Sequence, residues 1–200
     1  MTSFSQAKEL LGASSVYSLE EVEMVFGVKF TPEQRIGLEN IPFSDEVLRE
    51  CAGTHMLFPG FGLSLLDIRE KFAVLFYTKT DGWYAEVEET FSRETVPIRW
   101  HLLRMEPVPS SFSKSWDEQT ALLLPDEDVP SAASVAFATM LHFMMSKQRL
   151  FERTCVRVSD VAADDIRVLV GLFDAGGLCV YGYWGGGRGD GLGLSSARKF

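Results

Sequence analysis

The run from Val129 to Met145 spans 17 positions without a charged residue and constrains the fold more than any other segment. It is too short to be expected to cross a membrane, which takes about 20 apolar residues. Asp126–Asp128 precede it, whereas Lys147 and Arg149 follow it, an order that complements a helix dipole. Apolar residues lie nearly all round the helix that this run would form. The pattern predicts a buried helix over Ser131–Gln148 at the centre of the fold.

Capping signals predict further helices. Ser18–Glu21, Thr31–Gln34 and Ser115–Glu118 each have the capping-box spacing, in which the two polar side chains satisfy free backbone N–H groups. Ser44 precedes two acidic residues and predicts one more helix start. Residues 1–53 are therefore expected to be helical, and they either pack on the rest of the chain or form a separate lobe.

Three apolar segments in the middle of the chain predict strands. Thr54–Phe58 is short and bounded by glycine and proline, and Phe72–Tyr77 is followed by a turn signal at Thr80–Gly82. Alternation over residues 98–103 predicts a half-buried strand. On that strand His101 is predicted to point outward, as the most accessible imidazole of the chain.

The pattern of the last fifty residues predicts a β-meander. Apolar residues alternate over 154–158 and 166–172, and Asp174–Gly177 has the composition of a hairpin loop. Leu192 and Leu194 are expected to fold back on the domain. These patterns predict a single α+β domain over residues 1–200, with an antiparallel sheet from the C-terminal β-meander packed on the long central helix and an N-terminal helical lobe.

Composition narrows the function classes. The formal net charge of -9 disfavours a non-specific nucleic-acid binder, because such a surface repels phosphates. The three cysteines are widely spaced, which favours free thiols in a reducing cytosol over a disulfide framework. The first residues lack a basic segment followed by an apolar stretch. A soluble, acidic, cytoplasmic protein without a membrane segment is expected.

The segment Gly185–Gly193 is the most unusual in composition. Its glycines would allow backbone N–H groups to approach an anion, and Arg188 could pair with that anion. The spacing matches neither dinucleotide nor P-loop motifs. Trp184, Arg188 and Asp190 are the candidate ligand-binding residues, with the indole as an apolar wall. The favoured interpretation remains a loop that returns the chain to the sheet.

Other polar residues give weaker indications of a functional site. Cys51 and His55 have the spacing of metal ligands on a helix, but Gly53 lies between them and no second ligand pair is visible. His142 lies in the central helix, where a hydrogen-bonded core histidine is expected. The acids at Asp126–Asp128 are better explained by helix capping than by a cation. No catalytic residue, metal site or cofactor is predicted.

The chain resembles a bacterial protein family of unknown function. The resemblance rests on four groups of residues: Ala7–Gly12 with Ser18–Glu21, Ile41–Glu46, Phe58–Gly60 with Asp67–Arg69, and Gly191–Ala197. It implies a bacterial, cytoplasmic setting and supplies no activity and no site.

Two functions remain open at this point. The absence of catalytic motifs and the acidic composition favour a non-enzymatic interaction or accessory protein with a protein partner. The alternative is a small polar-ligand-binding protein or an enzyme that uses Trp184, Arg188 and Asp190. The sequence does not determine the ligand, the partner or the oligomeric state.

Overall fold

A computed structural model describes residues 2–77 and 82–200. It has the predicted α+β class, with seven α-helices and eight strands within the described residues. The helices are α1 Phe4–Leu11, α2 Leu19–Phe26, α3 Pro32–Gly37, α4 Asp45–Glu50, α5 Leu65–Lys71, α6 Trp116–Thr120 and α7 Ala132–Ser146. The strands are β1 His55–Pro59, β2 Trp100–Arg104, β3 Glu127–Asp128, β4 Cys155–Val161, β5 Arg167–Asp174, β6 Gly177–Tyr183, β7 Leu192–Leu194 and β8 Ala197–Arg198.

The helix starts follow the capping signals. Capping boxes are present at Ser18, Thr31 and Ser115, as predicted, and Ser44 caps α4. Helix α6 is short and ends at Thr120. The Thr120 hydroxyl donates to the carbonyl oxygens of Trp116 (3.0 Å) and Asp117 (3.2 Å), a local bond that competes with continued helix.

Helix α7 is the buried central helix that the uncharged run predicted. All of its residues from Ala132 to His142 are buried. The Phe137 ring stacks on Phe26 with centroids 4.0 Å apart and on Phe58 at 5.6 Å. Helix α7 therefore contacts the N-terminal helices on one side, and it also contacts β4 and β5. Among the described residues no helix combines the length and the apolar character needed to cross a membrane.

The strands form two four-stranded sheets. In the C-terminal sheet, ordered β6-β5-β4-β7, the predicted meander β4-β5-β6 is antiparallel. Leu192 and Leu194 return as predicted, but their strand β7 pairs parallel to β4. The other sheet, ordered β1-β2-β8-β3, joins the predicted strands β1 and β2 to β8 near the end of the chain.

The prediction of a strand over Phe72–Tyr77 is wrong. Residues 73–75 form one turn of 3-10 helix after α5, and only Phe76 makes a bridge, parallel to Leu178. Val74 is 92% exposed, so this β-favouring run does not lie in a buried strand. The turn predicted at Thr80–Gly82 falls outside the described residues except for Gly82, which has a φ of 64°.

Candidate functional site

The three predicted ligand-binding residues lie on the exposed segment between β6 and β7. Arg188 forms an exposed ion pair with Glu118 at 2.9 Å. Trp184 is 71% exposed, and Asp190 is also exposed. Within the described chain, none of the three lines a cavity considered below. The structure therefore brings Arg188 to a capping-box glutamate and does not gather the three side chains around a common pocket.

The glycines of this segment accommodate aromatic rings. A Cβ atom at Gly186 would lie 2.5 Å from the indole of Trp184, and one at Gly187 would overlap the ring of Tyr183. Only glycine permits this close approach of ring to backbone. The glycine content thus has a packing explanation in this segment, in addition to any role in a ligand site.

A buried arginine organises the same loop from beneath. Arg157 on β4 is fully buried, and its Nη1 donates to Gln119 Oε1 (2.7 Å) and to the Lys114 carbonyl (3.0 Å). Its Nη2 donates to the carbonyl oxygens of Gly187 (2.6 Å) and Trp184 (3.4 Å). The loop therefore turns carbonyl oxygens, not N–H groups, towards this cation. Alternation along β4 did not reveal the burial, because it cannot show that another segment covers the outer face of the sheet.

A cavity lined by polar and charged side chains lies where α7 begins. Its volume is about 670 Å³, within the range of small-molecule sites. We call it the basic cavity; the side chains used below are Arg99, His101, Asp128, Ser131, Arg198 and Lys199. They come from the segment around β2, from β3, from the start of α7 and from β8 with the residue after it.

Three cations line the basic cavity. The Arg198 side chain is only 8% exposed and pairs with Asp126 and with Glu50, the latter at 3.2 Å. Lys199 lies 3.5 Å from Asp128. Two of the three acidic residues at 126–128, Asp126 and Asp128, are therefore partners of cations. The Arg99 guanidinium lies over the Phe200 ring at 5.3 Å, and among the described residues it has no carboxylate partner.

His101 is buried, which corrects the prediction of an accessible imidazole. Both faces of β2 are covered, since the Trp100 indole donates to the Leu38 carbonyl while His101 stacks on Phe58. Burial lowers the pKa of His101 to about 4, so the ring is neutral at pH 7. Its Nε2 lies 2.9 Å from the Pro97 carbonyl oxygen, which can only accept, so Nε2 carries the proton and Nδ1 is left as an acceptor.

The start of α7 is held by two side chains. The Ser131 hydroxyl accepts from Ser134 N at 3.2 Å, and the Asp160 carboxylate accepts from Ala132 N at 2.5 Å. Burial raises the pKa of Asp160 to about 6. The N-terminal end of a helix of 15 residues carries partial positive charge. The Asp160 carboxylate, ionised at pH 7, therefore offsets the partial positive charge at this end of α7.

His142 occupies the other end of α7 and is the hydrogen-bonded core histidine that was predicted. The Tyr17 hydroxyl lies 2.7 Å from its Nδ1. Burial raises the pKa of Tyr17 to about 12 and lowers that of His142, so both groups are neutral at pH 7. His142 also lines a cleft of about 730 Å³, whose lining includes Arg149, Arg153 and two glutamates.

The remaining polar candidates are structural in their geometry. His55 is buried on β1, its Nδ1 lies 2.8 Å from the Thr54 hydroxyl, and burial lowers its pKa to about 3. The described residues contain no group of three His, Cys, Asp or Glu side chains placed to hold a metal ion. Cys51, Cys155 and Cys179 are buried free thiols.

Comparison with known proteins adds no assignment. No protein-family model, curated protein or solved structure matches this chain. The resemblance to a bacterial family therefore stays a prediction, and functional inference rests on the site geometry.

Proposed function

We propose that this protein binds a small anionic ligand, a phosphate or carboxylate compound, in the basic cavity. The observation that carries the proposal is local charge. The whole chain has a net charge of -9, yet this cavity is lined by three cationic side chains, Arg99, Arg198 and Lys199, and by one acidic side chain, Asp128; of the three cations, Arg198 and Lys199 are paired with carboxylates. Arg99 is thus a cation in the cavity that no described carboxylate offsets, and such a charge attracts anionic ligands.

Each lining group has a distinct role in this proposal. Arg99 supplies the cation that meets the ligand, because no carboxylate among the described residues neutralises it. Arg198 is held by Asp126 and Glu50 and contributes a fixed charge at the wall. The neutral His101 offers Nδ1 as an acceptor, which suits a ligand that also carries a hydroxyl group. A cytoplasmic location, favoured by the three free thiols, fits a protein that binds a soluble metabolite.

The test measures binding of phosphate, sulfate and citrate by calorimetry, with sodium chloride at matched ionic strength and glucose as a neutral probe. We expect at least one of the three anions to bind and glucose not to bind. Arg99→Gln should weaken that binding about tenfold, because a charge-assisted hydrogen bond is lost. The variant should remain folded, since Arg99 has no ion pair among the described residues.

Arg188→Gln is the matched control. It removes an exposed arginine from the loop that the sequence singled out, at a distance from the basic cavity. Unchanged affinity in this variant and weakened affinity in Arg99→Gln supports the proposal. The reverse pattern would place the site at Trp184, Arg188 and Asp190, and an absence of binding by all three anions would reject the basic cavity as an anion site.

Trp184 favours a second candidate, a non-enzymatic interaction or accessory protein. Its indole is 71% exposed and lies close to the backbone of Gly186. Pre-ordered tryptophans are frequent anchors of protein interfaces. A second copy of the chain is the partner that can be tested with purified protein. Sedimentation velocity over a range of concentrations should then show self-association that Trp184→Ala abolishes and that Val74→Ala, at another exposed apolar residue, leaves unchanged.

A further inference from the structure

An apolar groove lies on the face of the C-terminal sheet that points away from α7. Cys155, Leu169 and Leu192 form a small apolar cluster on this face, with Tyr181 packed against it. The groove beside them has a volume of about 300 Å³. We call it the sheet groove; its walls include Cys155, Leu169, Leu172, Tyr183 and Leu192. The return of the chain through Gly189 and Gly191 closes one side.

Leu172 has an unusual conformation for a wall residue. Its φ is 45°, in the left-handed region that a leucine adopts at a cost, and its side chain is 38% exposed. The strand pairing of β5 shifts register at this point, between Gly171 and Asp174. An irregularity of this kind in a strand re-aims a side chain, and Leu172 lies in the wall of the groove.

One charge lies at the groove. Among the described residues that line it, Arg153 alone carries a charge, and no described carboxylate forms an ion pair with it. Burial raises the pKa of the Cys155 thiol to about 12, so this sulfur is neutral and adds apolar surface. The groove thus combines apolar walls with a single unpaired cation.

We propose that the sheet groove binds the chain of a medium-length aliphatic carboxylate, with the carboxylate on Arg153. The apolar walls suit methylene groups, and the volume suits a short chain. The charge of Arg153 selects an anionic head group over a neutral one. This site is separate from the basic cavity and does not depend on the function proposed for it.

The test uses hexanoate, octanoate and neutral 1-octanol as probes, below the concentrations at which they aggregate. We expect octanoate to bind more tightly than hexanoate by about fourfold for each added methylene. Octanol should bind more weakly than octanoate. Arg153→Gln should weaken octanoate about fivefold and leave octanol unchanged, which is the behaviour of an exposed charge pair.

A second variant tests the walls. Leu172→Asn replaces an apolar wall by a polar side chain that tolerates a positive φ, so the strand conformation is kept. It should weaken both octanoate and octanol by about tenfold. Leu124→Asn is the matched control, since Leu124 is another exposed leucine outside the groove and should leave both affinities unchanged.

Arg99→Gln separates this site from the basic cavity and should leave the preference for octanoate over hexanoate unchanged. Three results would overturn the proposal: octanoate binding that Arg153→Gln and Leu172→Asn leave unchanged, loss of octanoate binding in Arg99→Gln, or no octanoate binding at concentrations below micelle formation. Failure of citrate or phosphate to bind would affect only the function proposed for the basic cavity.

Discussion

A hydrogen bond of 2.6 Å joins Arg157 to Gly187, donated by the buried guanidinium to the glycine carbonyl oxygen. The two residues are 30 positions apart in the chain, and this contact fixes the glycine-rich loop over the C-terminal sheet. Among the described residues no carboxylate neutralises Arg157, so carbonyl and amide oxygens solvate its charge. Arg157 therefore helps to order the loop from beneath, together with backbone hydrogen bonds from Trp116 N to the Gly185 carbonyl and from Ser113 N to the Gly189 carbonyl.

Replacement of this arginine should destabilise the protein. Arg157→Met keeps the aliphatic stem but leaves buried oxygen atoms, those of Gln119 and Gly187 among them, without a donor. We expect a loss of about 2–4 kcal/mol in the free energy of unfolding, measured by chemical denaturation. The indole of Trp184 should also become more mobile, which would lower the polarisation of its fluorescence. Arg49→Met, at an exposed helix position, is the control, and a loss below about 0.5 kcal/mol in Arg157→Met would contradict the prediction.

The second prediction concerns the centre of the core. Phe137 is fully buried and stacks on both Phe26 and Phe58. Phe137→Ala should lower the free energy of unfolding by about 3–5 kcal/mol, because it removes apolar contacts and leaves a cavity. Ile36→Ala, at a side chain that is 73% exposed, should change it by less than about 0.5 kcal/mol. Equal effects of the two substitutions would show that α7 is peripheral.

Asp160 predicts a pH-dependent contribution to stability. Its pKa is raised from 3.8 to about 6, chiefly by burial, while the hydrogen bond from Ala132 N opposes the rise. The native state therefore holds this proton more tightly than the unfolded chain does, so the contribution of Asp160 to stability is fully present below about pH 4 and is lost as the pH rises through 6. The Asn variant lacks this titration. The free energy of unfolding of Asp160→Asn relative to wild type should thus increase by about 2–3 kcal/mol between pH 4 and pH 7.

Urea denaturation of both proteins across this pH range measures the difference, in which the other titrating groups largely cancel. A difference that is flat with pH would show that Asp160 titrates normally in the folded protein. A difference of the opposite sign would show that the hydrogen bond from Ala132 N outweighs burial.

His101 and His55 should not titrate in the physiological range. Burial lowers their pKa values to about 4 and about 3. Nitrogen-detected NMR should therefore show neutral rings from pH 8 down to about pH 5, with the proton of His101 on Nε2, where the Pro97 carbonyl accepts it. Titration of His101 near pH 6.5 would show that the ring is accessible to water and is not a fixed neutral acceptor in the basic cavity.

Features that depend on neighbouring residues were predictable from the sequence. The capping boxes at Ser18 and Ser115 close between residues three positions apart, so the spacing alone specifies them. The uncharged run around Phe137 implied a buried helix, because no face of it could remain in water. The hairpin at Asp174–Gly177 followed from local turn chemistry in the same way.

Only the tertiary structure decided which of these surfaces are covered and which residues meet. Alternation places Arg157 and His101 on one face of their strands but cannot show that each of those faces is covered. The basic cavity unites Arg99, Ser131 and Arg198, which are distant in sequence, because β8 pairs with β2 beside the start of α7. Long-range pairing of this kind leaves no local periodic signal, since its driving force is the burial of surfaces that meet only after folding.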